Sequence, residues 1–138
     1  MLFFEDLSLG QSAETDRTVD AGVIDAFAAV SGDTNPVHMD DAYAATSPFG
    51  ERIAHGMLAA AYISAVLGVR LPGTGAIYVS QTLRFRRPVK IGDVVTARVT
   101  VTELDPERAR ATLATVCLVD DKPVVEGEAV VMLPRRTG

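Results

Sequence analysis

An apolar run in the first half of the chain, followed by a second half rich in β-branched residues, limits the folds open to this protein. The run is GMLAAAYISAVLG, residues 56–68, and it carries no charged side chain. A surface helix needs a polar face, so a segment that is hydrophobic on all sides predicts a helix buried on nearly every side. Other elements must therefore cover it.

The covering elements are predicted from the second half of the chain. Four segments there alternate apolar and polar residues or run β-branched, with turn residues between them, a pattern typical of strands. They are GAIYVSQTLRFRRPV (75–89), GDVVTARVTVTEL (92–104), RARATLATVCLV (108–119) and KPVVEGEAVVML (122–133). Consecutive strands with short connections predict one antiparallel sheet. Helical material first and strands afterwards is the α+β pattern.

Composition narrows the classes of protein. At 138 residues, 48% of them hydrophobic, we expect one globular domain over residues 1–138. A net charge of -5 argues against a nucleic-acid partner, because phosphate contacts need a basic face. No apolar run approaches the ~20 residues of a membrane-spanning helix. The single cysteine, Cys117, lies in an apolar strand pattern, and we expect a cytoplasmic protein.

The stretch SGDTNPVH, residues 31–38, holds the candidate chemistry. A predicted helix, capped by Asp20 and stopped by Gly32, delivers it. Asp33 and His38 lie on a turn that Pro36 stiffens, so an acid and an imidazole can converge on one small molecule and move protons. The residue types alone also fit a plain turn with a partly buried histidine. The stretch lacks the spacing of ligand residues that is typical of metal sites, and no metal is expected.

The stretch VSGDTNPVHMDDAYA, residues 30–44, resembles the hydration motif of (R)-specific enoyl-CoA hydratases, in the MaoC-like dehydratase family. The matching positions are Ser31, Gly32, Asp33, Asn35, Pro36, Val37, His38 and Ala44. The resemblance continues, in order, through RIAHGMLAAAYISAVLG (52–68), LPGTGAIYVSQTLRFRRPVKIGDVV (71–95) and VVEGEAVVMLP (124–134). It thus extends over nearly the whole chain.

This resemblance implies a hot-dog fold, in which a curved antiparallel sheet wraps a long central helix, and a homodimer paired through its sheets. It implies that Asp33 and His38 activate one water, which adds syn across the C2=C3 bond of a trans-2-enoyl-CoA to give the (R)-3-hydroxyacyl thioester. Gly56 matches the position whose backbone N–H stabilises the oxyanion, which suits the start of a helix. No cofactor is implied.

The resemblance also implies substrate contacts, each of which has a simpler structural reading. Asn35 either contacts the site or forms the Asn–Pro turn, and Ser64 either lines the site or packs within the central helix. Leu67 and Val130 match positions that line the acyl pocket, although apolar residues in these elements are core by default. His55 is expected to pack or hydrogen-bond beside Gly56. The anionic arm of the thioester would meet a basic group formed by Arg84, Arg86, Arg87 and Lys90, which equally suits a solvated edge.

Three other functions remain open from the sequence. A 3-hydroxyacyl-acyl carrier protein dehydratase would use the same residues on a carrier-bound substrate. A non-catalytic hot-dog subunit would bind a thioester or stabilise a partner, although such a subunit would be expected to lack the Asp or the His. A thioesterase is third, because hydrolysis does not call for this hydration motif.

Overall fold

The apolar run forms the helix around which the fold is built. The computed structural model describes residues 1–136, and in it this helix, α4, begins at Gly56 and ends at Val69. Its buried side chains are Leu58, Ala59, Ala60, Ile63, Val66 and Leu67. The opposite side of α4 is exposed, so the prediction that this helix is buried on nearly every side was wrong. One sheet can cover only one side of a helix, and the uncovered side carries Met57, Ala61, Ser64, Ala65 and Gly68.

Three shorter α-helices precede α4, and six strands form the sheet. The helices are α1 (Ala21–Ser31), α2 (Pro36–Met39) and α3 (Asp41–Thr46), and a 3₁₀ turn covers Phe4–Asp6. The strands are β1 (Ser12–Thr18), β2 (Ile77–Gln81), β3 (Arg84–Phe85), β4 (Val94–Asp105), β5 (Arg110–Val119) and β6 (Lys122–Met132). The α+β class predicted from the order of the segments is confirmed.

The sheet is antiparallel, with strand order β1-β4-β5-β6-β2, and β3 also pairs with β6. It packs on α4 through β1, β4, β5 and β6. Along β4 the alternating residues Val95, Ala97, Val99 and Val101 are buried, as their spacing predicted. The strand β1 was not predicted, because its sequence SAETDRT is mostly polar. It is an edge strand, and its pairing with β4, rather than its own sequence, makes this segment a strand.

Local signals set the helix ends that lead to the site. The side chain of Asp20 caps α1 by accepting a hydrogen bond from the Val23 N–H at 2.8 Å. Gly32 ends α1 with φ of +79°, a left-handed conformation that favours glycine. Asp40 caps α3 through the Tyr43 N–H. No helix among residues 1–136 is long and apolar enough to cross a lipid bilayer.

Candidate active site

Local hydrogen bonds at the loop between α1 and α2 hold Asp33 in place. The Asp33 N–H donates to Ser31 Oγ at 3.1 Å, and the Asp33 carboxylate accepts from the Asn35 N–H at 3.2 Å. The side chain of Asn35 caps α2 by accepting from the Val37 N–H at 3.2 Å. Asp33 and Asn35 therefore shape the turn, and Asp33 keeps an exposed carboxylate for other contacts.

His38 is held so that one ring nitrogen is free. Its Nδ1 lies 2.8 Å from the carbonyl oxygen of Ile53, which can only accept, so Nδ1 carries the proton. In the neutral ring this hydrogen bond fixes the Nδ1–H tautomer, which leaves Nε2 with a lone pair. A neutral imidazole presenting Nε2 can accept a hydrogen bond or a proton from a small molecule.

His55 joins Asp33 and His38 in one cluster. Its Nε2 donates to the backbone carbonyl of Asp33 at 2.8 Å, and its ring stacks on that of His38 with centroids 4.0 Å apart. One carboxylate oxygen of Asp33 and one nitrogen of each ring lie within 4.8 Å of one another. Because stacked rings aim their in-plane lone pairs along similar planes, the two imidazoles do not converge on a point, and the cluster suits proton transfer better than metal binding.

A cavity of about 430 Å³ opens beside this cluster. This volume is within the usual range for small-molecule sites. Its wall is largely apolar. The lining residues used below are His38, His55, Gly56, Met57, Phe85 and Arg87.

Gly56 begins α4 at the wall of this cavity, so its N–H is one of the helix-start donors that have no intrahelical acceptor. The ring of Phe85 packs against Gly56 so closely that a Cβ there would lie 2.7 Å from two ring carbons. Phe85 remains 55% exposed at the cavity. A Cβ at position 56 would therefore force the Phe85 ring to move, a reason for glycine that the sequence did not reveal.

The remaining predicted substrate contacts lie away from the cluster. Ser64 lines a second depression of about 560 Å³, between α4 and β2, together with Phe27 and Val79. Met57 lines both depressions, so they adjoin. Leu67 is a core residue of α4, 2% exposed, and Val130 is half-buried on β6, opposite Thr112 and Ser80.

The predicted basic group divides between paired and unpaired cations. Arg86 pairs with Glu126 at 2.7 Å, and Lys90 lies 3.7 Å from Glu51. Arg87 has no ion-pair partner among residues 1–136, and it lines the cavity. Of the four residues, Arg87 is therefore the cation best placed for an anionic ligand.

Arg52 is a site residue that sequence reasoning missed. Its Nε donates to the backbone carbonyl of His38, and a terminal nitrogen pairs with Asp25 of α1. No motif pointed to it, because its contacts join segments 14 and 27 residues apart.

Comparison with known proteins identifies the family of this chain. The family model described as the MaoC-like domain matches residues 7–122. The chain belongs to the MaoC-like domain family. That match contains the loop bearing Asp33, the helix α2 bearing His38, all of α4, and strands β1 to β5 of this MaoC-like protein.

Individual relatives agree along nearly the whole length. The (R)-specific enoyl-CoA hydratase of Rhodospirillum rubrum is 57% identical over 134 residues, 97% of this chain and 93% of that protein. The 3-hydroxybutyryl-CoA dehydratase of Methylorubrum extorquens is 51% identical, over 99% of this chain and 87% of that protein. The solved R-hydratase of Pseudomonas aeruginosa, in its unliganded form, superposes with a TM-score of 0.92 at 49% identity, covering 97% of this chain and 86% of that one. The predicted hot-dog fold is confirmed.

Proposed function

We propose that this chain is one hydratase domain that adds water to a trans-2-enoyl-CoA and releases the (R)-3-hydroxyacyl-CoA. The observation that carries the proposal is the meeting of the Asp33 carboxylate and the His38 ring beside an apolar cavity. Relatives 57% and 51% identical, named as an enoyl-CoA hydratase and a hydroxybutyryl-CoA dehydratase, support the same reversible reaction.

In this proposal Asp33 and His38 bind one water between them. The Asp33 carboxylate accepts a proton from the water as its oxygen bonds to C3, while Nε2 of His38 accepts the other O–H and orients the molecule. The electron pair of the C2=C3 bond moves toward the thioester carbonyl. C2 then receives the proton that Asp33 took, so one water is added and the carboxylate is restored. Both new bonds form on the face that meets the pair, which makes the addition syn.

Gly56 is proposed to stabilise the charge that develops on the thioester oxygen. Its N–H is free of an intrahelical acceptor at the positive end of a helix of 14 residues. Removing one such donor typically lowers kcat by about 10²-fold to 10³-fold. The loss of the Gly56 contact should therefore lower kcat about as much as the loss of either member of the acid/base pair. The location of Gly56 on the cavity wall supports the role.

Substrate contacts are proposed at Asn35, Ser64, Leu67 and Val130, and the geometry supports them unequally. Ser64 is exposed in the depression that adjoins the cavity, so it can meet a bound acyl group. Asn35 spends its side-chain oxygen on capping α2, which favours an indirect role. Leu67 and Val130 would support the acyl pocket only indirectly, from the far side of the helix and of the sheet. Arg87 is the proposed contact for a phosphate of the coenzyme arm.

Two copies are proposed to pair through β2. This strand ends the sheet, and its side chains Ile77, Tyr78 and Val79 are 55%, 40% and 41% exposed. An apolar edge strand is a ready template for another chain unless it is covered. A partner there would also cover the exposed side of α4 and enclose Ser64, so the proposed site would lie at the dimer interface. A cytoplasmic location is proposed with it.

The proposal is tested by the loss of ultraviolet absorbance as crotonyl-CoA is hydrated. An (S)-specific 3-hydroxyacyl-CoA dehydrogenase added with NAD should then yield no NADH, since the product has the R configuration. No hydration of crotonyl-CoA, or hydration only of the matched carrier-protein thioester, would reject the coenzyme A assignment. An (S) product would reject the stereochemistry.

A further inference from the structure

We propose that His55 is a positioning residue, a single buried imidazole that holds Asp33 by a hydrogen bond and His38 by ring stacking. The inference rests on the proposed function, because it concerns how that acid/base pair is aligned. His55 does not need to touch the substrate in this role. It acts through the two residues that do.

The first contact fixes the backbone of Asp33. The Nε2–H of His55 donates to the Asp33 carbonyl oxygen at 2.8 Å, across 22 residues of sequence. Asp33 otherwise lies in an exposed loop, and its other hydrogen bonds within residues 1–136 are to its neighbours Ser31 and Asn35. His55 thus supplies the bond that anchors this loop to the body of the protein.

The second contact fixes the ring of His38. The His38 and His55 rings stack at 4.0 Å with an interplanar angle of 29°. Behind His55 lies Phe27 of α1, at 4.9 Å and 52°. His55 is thus held between the tilted ring of Phe27 and the stacked ring of His38, and α1 supplies Phe27 and leads into the loop bearing Asp33.

Packing alone does not explain a histidine at this position. The residue is 3% exposed, and its Nδ1 has no hydrogen-bond partner among residues 1–136. A buried polar atom without a partner is destabilising, and an apolar ring would fill the layer without that cost. The Nε2–H donor is the feature of histidine that an apolar ring lacks.

His55 also connects the pair to the proposed oxyanion donor. It is the N-cap residue of α4, yet its side chain makes no capping hydrogen bond to that helix. The side chain instead reaches Asp33, while the next residue is Gly56. His55 thereby holds Asp33, the His38 ring and the Gly56 N–H at fixed separations.

The test uses three variants that separate the donor from the ring. His55→Phe keeps the ring and loses the donor. His55→Gln places an amide N–H near the position of Nε2, and its matched control, His55→Asn, is too short to reach. We expect kcat for crotonyl-CoA to fall about 10-fold to 100-fold in His55→Phe and His55→Asn, with KM within about 3-fold, because misplacing a catalytic group costs rate more than binding. His55→Gln should recover part of kcat.

Two further readouts exclude a purely structural role. The melting temperature of His55→Phe should stay close to that of wild type, since the loss of the bond to the exposed Asp33 loop is offset by the removal of the unpartnered Nδ1. The chain has only 2 histidines, so ¹⁵N-¹H spectra of the imidazoles assign cleanly, and His55 should be the Nε2–H tautomer. Wild-type kcat in His55→Phe, equal losses in the Gln and Asn variants, or an Nδ1–H tautomer at His55 would each overturn the proposal. An inactive wild type would instead reject the proposed function, and the tautomer would still test the His55 bond.

Discussion

The guanidinium of Arg52 donates from Nε to the backbone carbonyl of His38 at 2.6 Å. The same side chain is 10% exposed and reaches Asp25 at 3.0 Å. His38 is therefore restrained at its backbone by Arg52, at Nδ1 by Ile53 and at its ring face by His55. An imidazole that is restrained from three directions is already aligned for the catalytic role proposed for it.

Arg52→Ala should lower kcat/KM for crotonyl-CoA by about 10-fold, because the His38 carbonyl loses a charge-assisted donor and the loop gains freedom. Steady-state hydration rates measure this, with circular dichroism to show that the variant is folded. The matched control is Asp25→Asn, which removes the charge of the exposed ion-pair partner but leaves the bond to His38. Its rate should stay within about 3-fold of wild type. An equal loss in both variants would mean that the ion pair matters rather than the bond to His38.

Asp33→Asn and His38→Ala should each reduce kcat by about 10²-fold to 10⁴-fold, the usual contribution of a general acid or base. Asn at position 33 keeps a side-chain oxygen for the Asn35 N–H, so the turn is preserved while the carboxylate is lost. The rate of absorbance loss with crotonyl-CoA measures the effect. A folded Asp33→Asn variant with wild-type kcat would show that Asp33 serves the turn alone.

Val79→Lys should weaken self-association, because it places a charge on the apolar β2 edge, in the depression that holds Ser64. Size-exclusion chromatography with light scattering should give a dimer for wild type and a larger monomer fraction for the variant. Val30→Lys makes the same change at an exposed valine of α1 and should leave the dimer intact. If both variants remain dimeric, the copies pair through another surface.

Cys117 makes stability depend on alkaline pH. Burial raises the pKa of its thiol from 9.0 to about 12, and Sγ lies 3.3 Å from the Ala59 carbonyl as a donor. Below pH 9 the thiol is protonated in both states, so its contribution to stability is fully present. Above pH 9 the unfolded chain loses this proton first, and the free energy of unfolding should fall by up to about 1.4 kcal/mol per pH unit until the folded pKa is reached.

Urea unfolding between pH 8 and pH 10.5 measures this slope, with Cys117→Ala as the control. The control will be less stable at pH 8, because it leaves a small cavity, but its stability should fall less steeply above pH 9. Parallel slopes for the two proteins would contradict the role of the thiol.

Short-range patterns were sufficient for the main elements. Asp20 and Gly32 bound α1 because a cap and a left-handed stop act within a few residues. The alternation in β4 and the apolar run of α4 likewise follow from local periodicity. The motif residues Asp33 and His38 were found because they lie only five positions apart in the sequence, and the structure does bring them together.

The tertiary structure decided everything that depends on contacts between distant segments. The roles of His55 and Arg52 require a hydrogen bond across 22 and 14 residues respectively, and no local pattern specifies these. The ring of Phe85 against Gly56 and the pairing of polar β1 with β4 are of the same kind. Hydrophobic period and turn chemistry are properties of neighbouring residues, whereas a stack, a buried donor and an edge-strand register exist only once the chain has closed on itself.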